Sequence, residues 1–143
     1  EGADQIPDRD LQLLRQLRRA GLATVCLVAP NTPPARRQQL ARASTGFLYY
    51  VCRYGVTGEQ ASLPDDVGEQ VDALRAAAGV PVCVGFGIST PEQAAEVAAH
   101  GDGVIVGSHL VRLIEQHAGD VDLVARVPAR AGELAAAVHA VRS

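Results

Sequence analysis

Val80-Pro81-Val82-Cys83-Val84-Gly85-Phe86-Gly87-Ile88-Ser89-Thr90-Pro91-Glu92-Gln93 reads as three events in a row. The apolar, β-branched run from Val80 to Phe86 predicts a strand covered on both faces. Thr90-Pro91-Glu92-Gln93 is a capping box with proline at the first helical position, so a helix starts there and runs to Gly101. Between the two lie Gly85 and Gly87, which put bare backbone at the end of a strand. A strand, a glycine turn and a capped helix make one βα unit.

The same unit recurs on both sides. Upstream, Leu11, Leu14 and Leu17 share one helical face, with Leu13 alongside, and Gly21 stops that helix. Ala23 to Ala29 is a strand, and Thr32-Pro33 reads as a cap with a first-turn proline for a helix reaching about Arg42. Gly46 to Arg53 is the next strand. The longest connection, Tyr54 to Pro64, leads to a helix opened by Asp65 and Asp66 and striped by Val67, Val71 and Leu74. Downstream, Gly103 to Val106 is the fourth strand. Ser108 caps a short helix over Leu110 to Gln116, and a last helix covers about Ala129 to Val141. Four apolar strands alternating with helices predict an α/β fold with a parallel sheet and right-handed crossovers. No linker or second-domain boundary breaks residues 1–143.

Composition narrows the function. At 143 residues and 48% apolar content the chain can bury a core. The net charge of -3 and the two Phe and three Tyr give no basic, aromatic-interleaved surface for nucleic acid. No apolar run approaches the ~18 residues of a membrane span. All thirteen basic residues are Arg, which removes a Schiff-base lysine. There is no Met, so the chain reads as excised from a longer or processed protein. Cys26, Cys52 and Cys83 are far apart within apolar runs and read as small buried side chains in a reducing compartment, not as a metal site.

Glycines follow the strands at three places. Gly107-Ser108 opens a short helix, whose free N–H groups suit an anion. Gly87 ends the preceding strand. Both are either ordinary turn glycines or a phosphate cradle, each charge-assisted contact contributing about 1.5–3 kcal/mol. Their occurrence on consecutive strands favours the cradle. Gly55-Val56-Thr57-Gly58 reads as a loop that closes over a ligand, or as a plain surface loop. Tyr49 and Phe86 either enclose a planar aromatic ligand or pack the core. Arg53 pairs with a phosphate or with a carboxylate of the scaffold. His100, His109, His117 and His139 read as surface or helix residues away from any motif.

These stretches together resemble the tryptophan synthase α chain family. The resemblance rests on Phe47 to Gly58, on Gly85 to Ser89 with Thr90 to Ala94, on Asp102 to Ser108, and on Leu27 to Pro30, and it runs from about Leu11 to the C-terminus. It implies strands five to eight of a TIM (βα)8 barrel whose full length is about 250 residues. It implies a lyase of tryptophan biosynthesis in the cytoplasm, which cleaves indole-3-glycerol phosphate to indole and glyceraldehyde 3-phosphate without a cofactor or metal and passes indole to a β chain. By motif, Gly58, Gly87, Gly107 and Ser108 hold the phosphate, Tyr49 and Phe86 line the indole pocket, and Thr57 is the lid residue. The family's two catalytic carboxylates belong to the first half of the barrel, so no catalytic residue is assigned here and the fragment alone is expected to be inactive. Asp4 matches the family's Asp-x-Pro only loosely, Cys52 replaces a Ser, and Glu59 stands where a small residue is common. Two rival readings remain. One is a half-barrel assembly module that dimerises or rearranges into a flavodoxin-like sheet. The other is a different phosphate-binding barrel enzyme.

Overall fold

The computed structural model describes residues 5–51, 66–85 and 87–141. Four strands, β1 (Cys26–Val28), β2 (Leu48–Val51), β3 (Val82–Gly85) and β4 (Gly103–Ile105), form one parallel sheet in the order β1-β2-β3-β4. The helices are α1 (Asp8–Arg19), α2 (Pro34–Ala43), α3 (Val67–Ala77), α4 (Pro91–Ala98), α5 (Ser108–Gln116) and α6 (Leu123–Val141). The expected parallel α/β alternation is therefore present. The strand order never reverses, which separates it from a doubly wound, flavodoxin-like sheet, where ligands bind at a reversal.

Strand geometry sorts the side chains onto two faces. Cys26, Leu48 and Val82 share one level of the register, and Val28, Tyr50, Val84 and Val104 share another on the same face. All but the partly buried Val104 are buried, packed with Ala41 of α2, Val67, Val71 and Leu74 of α3, Ala94 and Val97 of α4, and Leu134 of α6. The intervening residues Leu27, Tyr49, Cys83 and Gly103 line up across the other face. There Leu27 is 57% exposed, and Tyr49 and Cys83 are half-buried. Helices thus cover one face of the sheet. The strand runs are apolar on both faces, as the sequence indicated, but the second face has no cover among the described residues.

Local signals hold at most element ends. Gly21 takes a positive φ of 74° after α1. Its N–H bonds the Arg18 carbonyl while that of Leu22 bonds Leu17, closing the helix in a Schellman turn. Leu11, Leu14 and Leu17 are half-buried and Leu13 is exposed. The Thr90–Gln93 capping box forms as read. Three expectations shift. The cap of α2 is Pro33, because the Thr32 hydroxyl instead accepts the Ala29 N–H at 2.9 Å and tightens the turn after β1. Gly107, not Ser108, caps α5, with Ser108 as its first residue. The last helix starts at Leu123 rather than Ala129 and runs through Pro128. The Asp122 carbonyl accepts the Ala125 and Arg126 N–H groups there, and the Asp122 carboxylate pairs with Arg126 at 2.8 Å. No described helix is long and apolar enough to cross a membrane.

Candidate phosphate half-site

The adjacent strands β3 and β4 end at matched levels. The last register pair is Gly85 opposite Ile105, so Gly87 and Gly107 each lie two residues beyond it. Both are exposed, and a Cβ built on either would meet nothing within 4 Å. Their backbones therefore border open space at the same end of the sheet. Gly107 has φ -123°, outside the left-handed region.

The helices that follow differ at their N-termini. At α4, Gln93 Oε1 accepts from the backbone N–H of Ser89 at 2.8 Å and of Thr90 at 3.3 Å, and the Thr90 hydroxyl accepts the Gln93 N–H at 3.3 Å. Glu92 adds a carboxylate held below its ordinary pKa, first by a bond to its own backbone N–H and then by the Thr90 hydroxyl. That terminus is already satisfied and negatively charged. At α5 the cap is a glycine with no side chain to offer, and no acidic residue stands in the first turn. The first backbone bond back to the cap is from the Val111 N–H to the Gly107 carbonyl at 3.1 Å. The N–H groups of Ser108, His109 and Leu110 precede it and point out of the helix end. The α5 end thus leaves donors and no carboxylate for an anion to meet, whereas the α4 end has its donors taken and a carboxylate in place.

A charge-paired arginine stands beside α5. Arg130 of α6 donates from Nε to His109 Nε2 at 3.1 Å and from Nη2 to the Ser89 carbonyl at 2.7 Å, and it pairs through Nη1 with Glu133. His109 is held below its ordinary pKa, chiefly by desolvation and then by Arg130 and Arg112. A neutral imidazole with its proton on Nδ1 is what lets Nε2 accept from Arg130. The reading of all four histidines as remote from any motif is corrected here: His109 directly follows Ser108 and is bonded into the site's surroundings. Arg130 was missed altogether, since the Ser89 and His109 groups it joins lie on other elements and its pair with Glu133 reads as an ordinary helix-surface pair.

Tyr49 projects on the open face of the sheet, in register with Leu27 and Cys83. Its ring lies over Gly85, where a Cβ would come within 2.7 Å of three ring and hydroxyl atoms. The bare Gly85 backbone leaves the room that this ring fills. Asp102, by contrast, sits at the opposite end of the sheet, accepting the Val82 N–H at 2.9 Å and Arg75 Nη2 at 2.8 Å. It joins β3 to β4 and does not reach the glycines. A cavity of ≈ 340 Å³ lined by Val104, Leu110, Leu134 and Val138 lies on the helix side of β4, and none of the candidate residues lines it. Gly58, Thr57, Phe86, Arg53, Cys52, Glu59 and Asp4 lie outside the described residues.

The profile of the tryptophan synthase alpha chain family matches residues 3–139. The chain belongs to the tryptophan synthase alpha chain family. A tryptophan synthase alpha chain from Novosphingobium aromaticivorans is 43% identical over 136 residues, which is 95% of this chain and 50% of that one. Another, from Solibacter usitatus, is 52% identical over 98 residues, 68% of this chain and 37% of that one. Among solved structures, tryptophan synthase from Mycobacterium tuberculosis is 38% identical with a TM-score of 0.74, covering 94% of this chain and 49% of the other. A mutant alpha-subunit from the hyperthermophile Pyrococcus furiosus is 28% identical with a TM-score of 0.75, covering 92% and 52%. The four parallel βα units match the fold of these TIM-barrel alpha subunits. The chain spans about half the length of the relatives it matches.

Proposed function

We propose that this chain is the C-terminal half, strands five to eight, of a tryptophan synthase α-type barrel, and that it carries the phosphate- and indole-binding elements of a carbon–carbon lyase. The observation that carries the reading is the pair Gly87 and Gly107, both open, at matched levels on adjacent strands, beside a helix N-terminus with no side-chain cap. Ser108 adds a hydroxyl at the first helical position. Tyr49 is placed to flank an indole ring on the open sheet face, and Phe86, Gly58 and Thr57 join the site on their motif alone. The unreversed strand order and the single helix-covered face support an arc of a barrel whose other half covers the open face.

The reaction is a retro-aldol cleavage. An acid protonates the indole ring carbon that bears the glycerol chain, the bond between them breaks, and a base removes the adjacent hydroxyl proton to leave glyceraldehyde 3-phosphate. Both carboxylates come from an N-terminal half-barrel, in the same parent polypeptide or in a separate one. This half contributes anchorage: a fixed phosphate holds the reacting bond in register with groups it does not itself supply. The setting is the cytoplasm, with a tryptophan synthase β chain receiving the indole.

Titration of glycerol phosphate into the chain, followed by NMR, tests the half-site. Binding that disappears in Gly107→Asp, together with lyase activity only after addition of the N-terminal half, is the expected result. Indole production by the chain alone would sink the division of labour. The exposure of Leu27 favours a second reading, in which two copies cover each other's open faces as a pseudo-barrel. A monomer at high concentration in a sizing experiment would remove it.

A further inference from the structure

Arg130 grips both halves of the proposed phosphate site at the same distance from their glycines. Ser89 is two residues beyond Gly87, and His109 is two residues beyond Gly107. One guanidinium, itself only 27% exposed, donates to the Ser89 carbonyl through Nη2 and to His109 Nε2 through Nε. Glu133, one turn further along α6, takes the third edge of the fork through Nη1. The last register pair among the described residues is Gly85 opposite Ile105, and both of the groups that Arg130 meets lie beyond it. The Arg130 fork ties the two turns together there.

We propose that Arg130 is a positioning residue for the phosphate half-site, setting the spacing of the Gly87 backbone against the Gly107–Ser108 backbone by holding Ser89 and His109 at once. The proposal rests on the phosphate reading given above. Arg130 does not touch the phosphate. A planar fork suits this role because it presents donors on separate nitrogens in fixed directions to acceptors on different elements, whereas an ammonium gathers its three donors on one freely rotating nitrogen.

The link is also sensitive to protonation. His109 Nε2 accepts only while the imidazole is neutral; a protonated ring has no acceptor and sets a second cation against the guanidinium. The groups facing it are Arg130 and Glu133 from α6, the Ser89 carbonyl before α4, and Arg112 from its own helix, with Glu92 of α4 acting on Arg130. Acid therefore opens the link, and the two backbones lose their fixed spacing.

The test uses the 143-residue chain with glycerol phosphate as the probe, the amides of Gly87 and Gly107 as reporters, and thermal melts as the fold control. Arg130→Met is expected to shift both amides without ligand and to weaken binding at least tenfold at a temperature where it remains folded. Arg130→Lys should stay several-fold weak; full rescue by Lys would overturn the fork and leave only a charge effect. Should Arg130→Met melt early, His109→Ala removes one grip at a helix end and should weaken binding about threefold, with no change overturning the link. His109→Gln keeps an acceptor that does not titrate. The ratio of wild-type to His109→Gln affinity, in which titration of the phosphate cancels, should fall below pH 6.5. A flat ratio, or a wild type that tightens in acid, would overturn the link, the latter by making His109 a direct ligand. Wild-type chain that binds no glycerol phosphate refutes the phosphate reading and this proposal with it. Wild-type binding that Arg130→Met leaves intact refutes this proposal alone.

Discussion

Leu48 and Leu27 sit on neighbouring strands, one register step apart, in opposite surroundings. Leu48 is fully buried among the helices, and Leu27 is 57% exposed on the opposite face. Both belong to runs that read as buried strand. One face of this sheet therefore carries most of the buried core, and the other leaves apolar surface open among the described residues. A parallel sheet is ordinarily covered on both faces because its crossovers place helices there. Here the crossovers supply one layer only, as they do in a barrel, where the second layer is the sheet itself closing round.

The contrast can be broken or sharpened by substitution. Leu48→Ala should have the largest effect, about 2–5 kcal/mol lost in denaturant unfolding, because the surrounding helices cannot collapse into the hole. A cost below about 1 kcal/mol would mean the helix-covered face is not the principal core. Gly85→Ala comes next. The new methyl displaces the Tyr49 ring, and since that ring borders open space the cost should stay near about 1 kcal/mol, at the low end for overpacking. An unchanged near-ultraviolet tyrosine signal would show that the ring does not lie where described. Acid gives a smaller, directional effect. His109 has a lowered pKa in the fold, so the unfolded chain takes up the proton first. Its contribution is complete above the ordinary value of 6.5 and is lost as pH falls from there through the folded value. Melts of His109→Gln from pH 7.5 to 5 should have a shallower slope than wild type; parallel slopes would contradict it. Leu27→Ala should cost least, within about 0.5 kcal/mol in dilute solution. A loss comparable to that at Leu48, independent of protein concentration, would show that the open face is packed after all.

The sequence was most readable where one signal and its answer lie within a few residues. The Thr90–Gln93 box, the Gly21 stop and the alternation of apolar runs with helical stripes needed no knowledge of the rest of the chain. Pro128 shows the weakness of the same habit, since helix α6 starts before it and runs on through it, with Asp122 and Arg126 pairing across the first turn. The glycines of the candidate site were legible because they follow strands. Their difference, one helix end closed by its own side chains and the other left open, follows from which residues stand beside them. Arg130 was not legible: its bonds to Ser89 and His109 cross 41 and 21 residues of sequence, and nothing around it in the chain sets it apart from the other arginines on helices.

Each strand in this sheet pairs only with the strand just before or just after it in the chain. Partners in the ladder are therefore about 20–35 residues apart along the sequence, and the loops to be closed differ little in entropic cost. Such an arrangement has low contact order for a parallel sheet. Folding can begin at any of the three pairs of neighbouring strands and extend one strand at a time, without a distant partner having to arrive first. Growth of the sheet then becomes a stepwise addition along the chain, each new strand docking on a neighbour already in place.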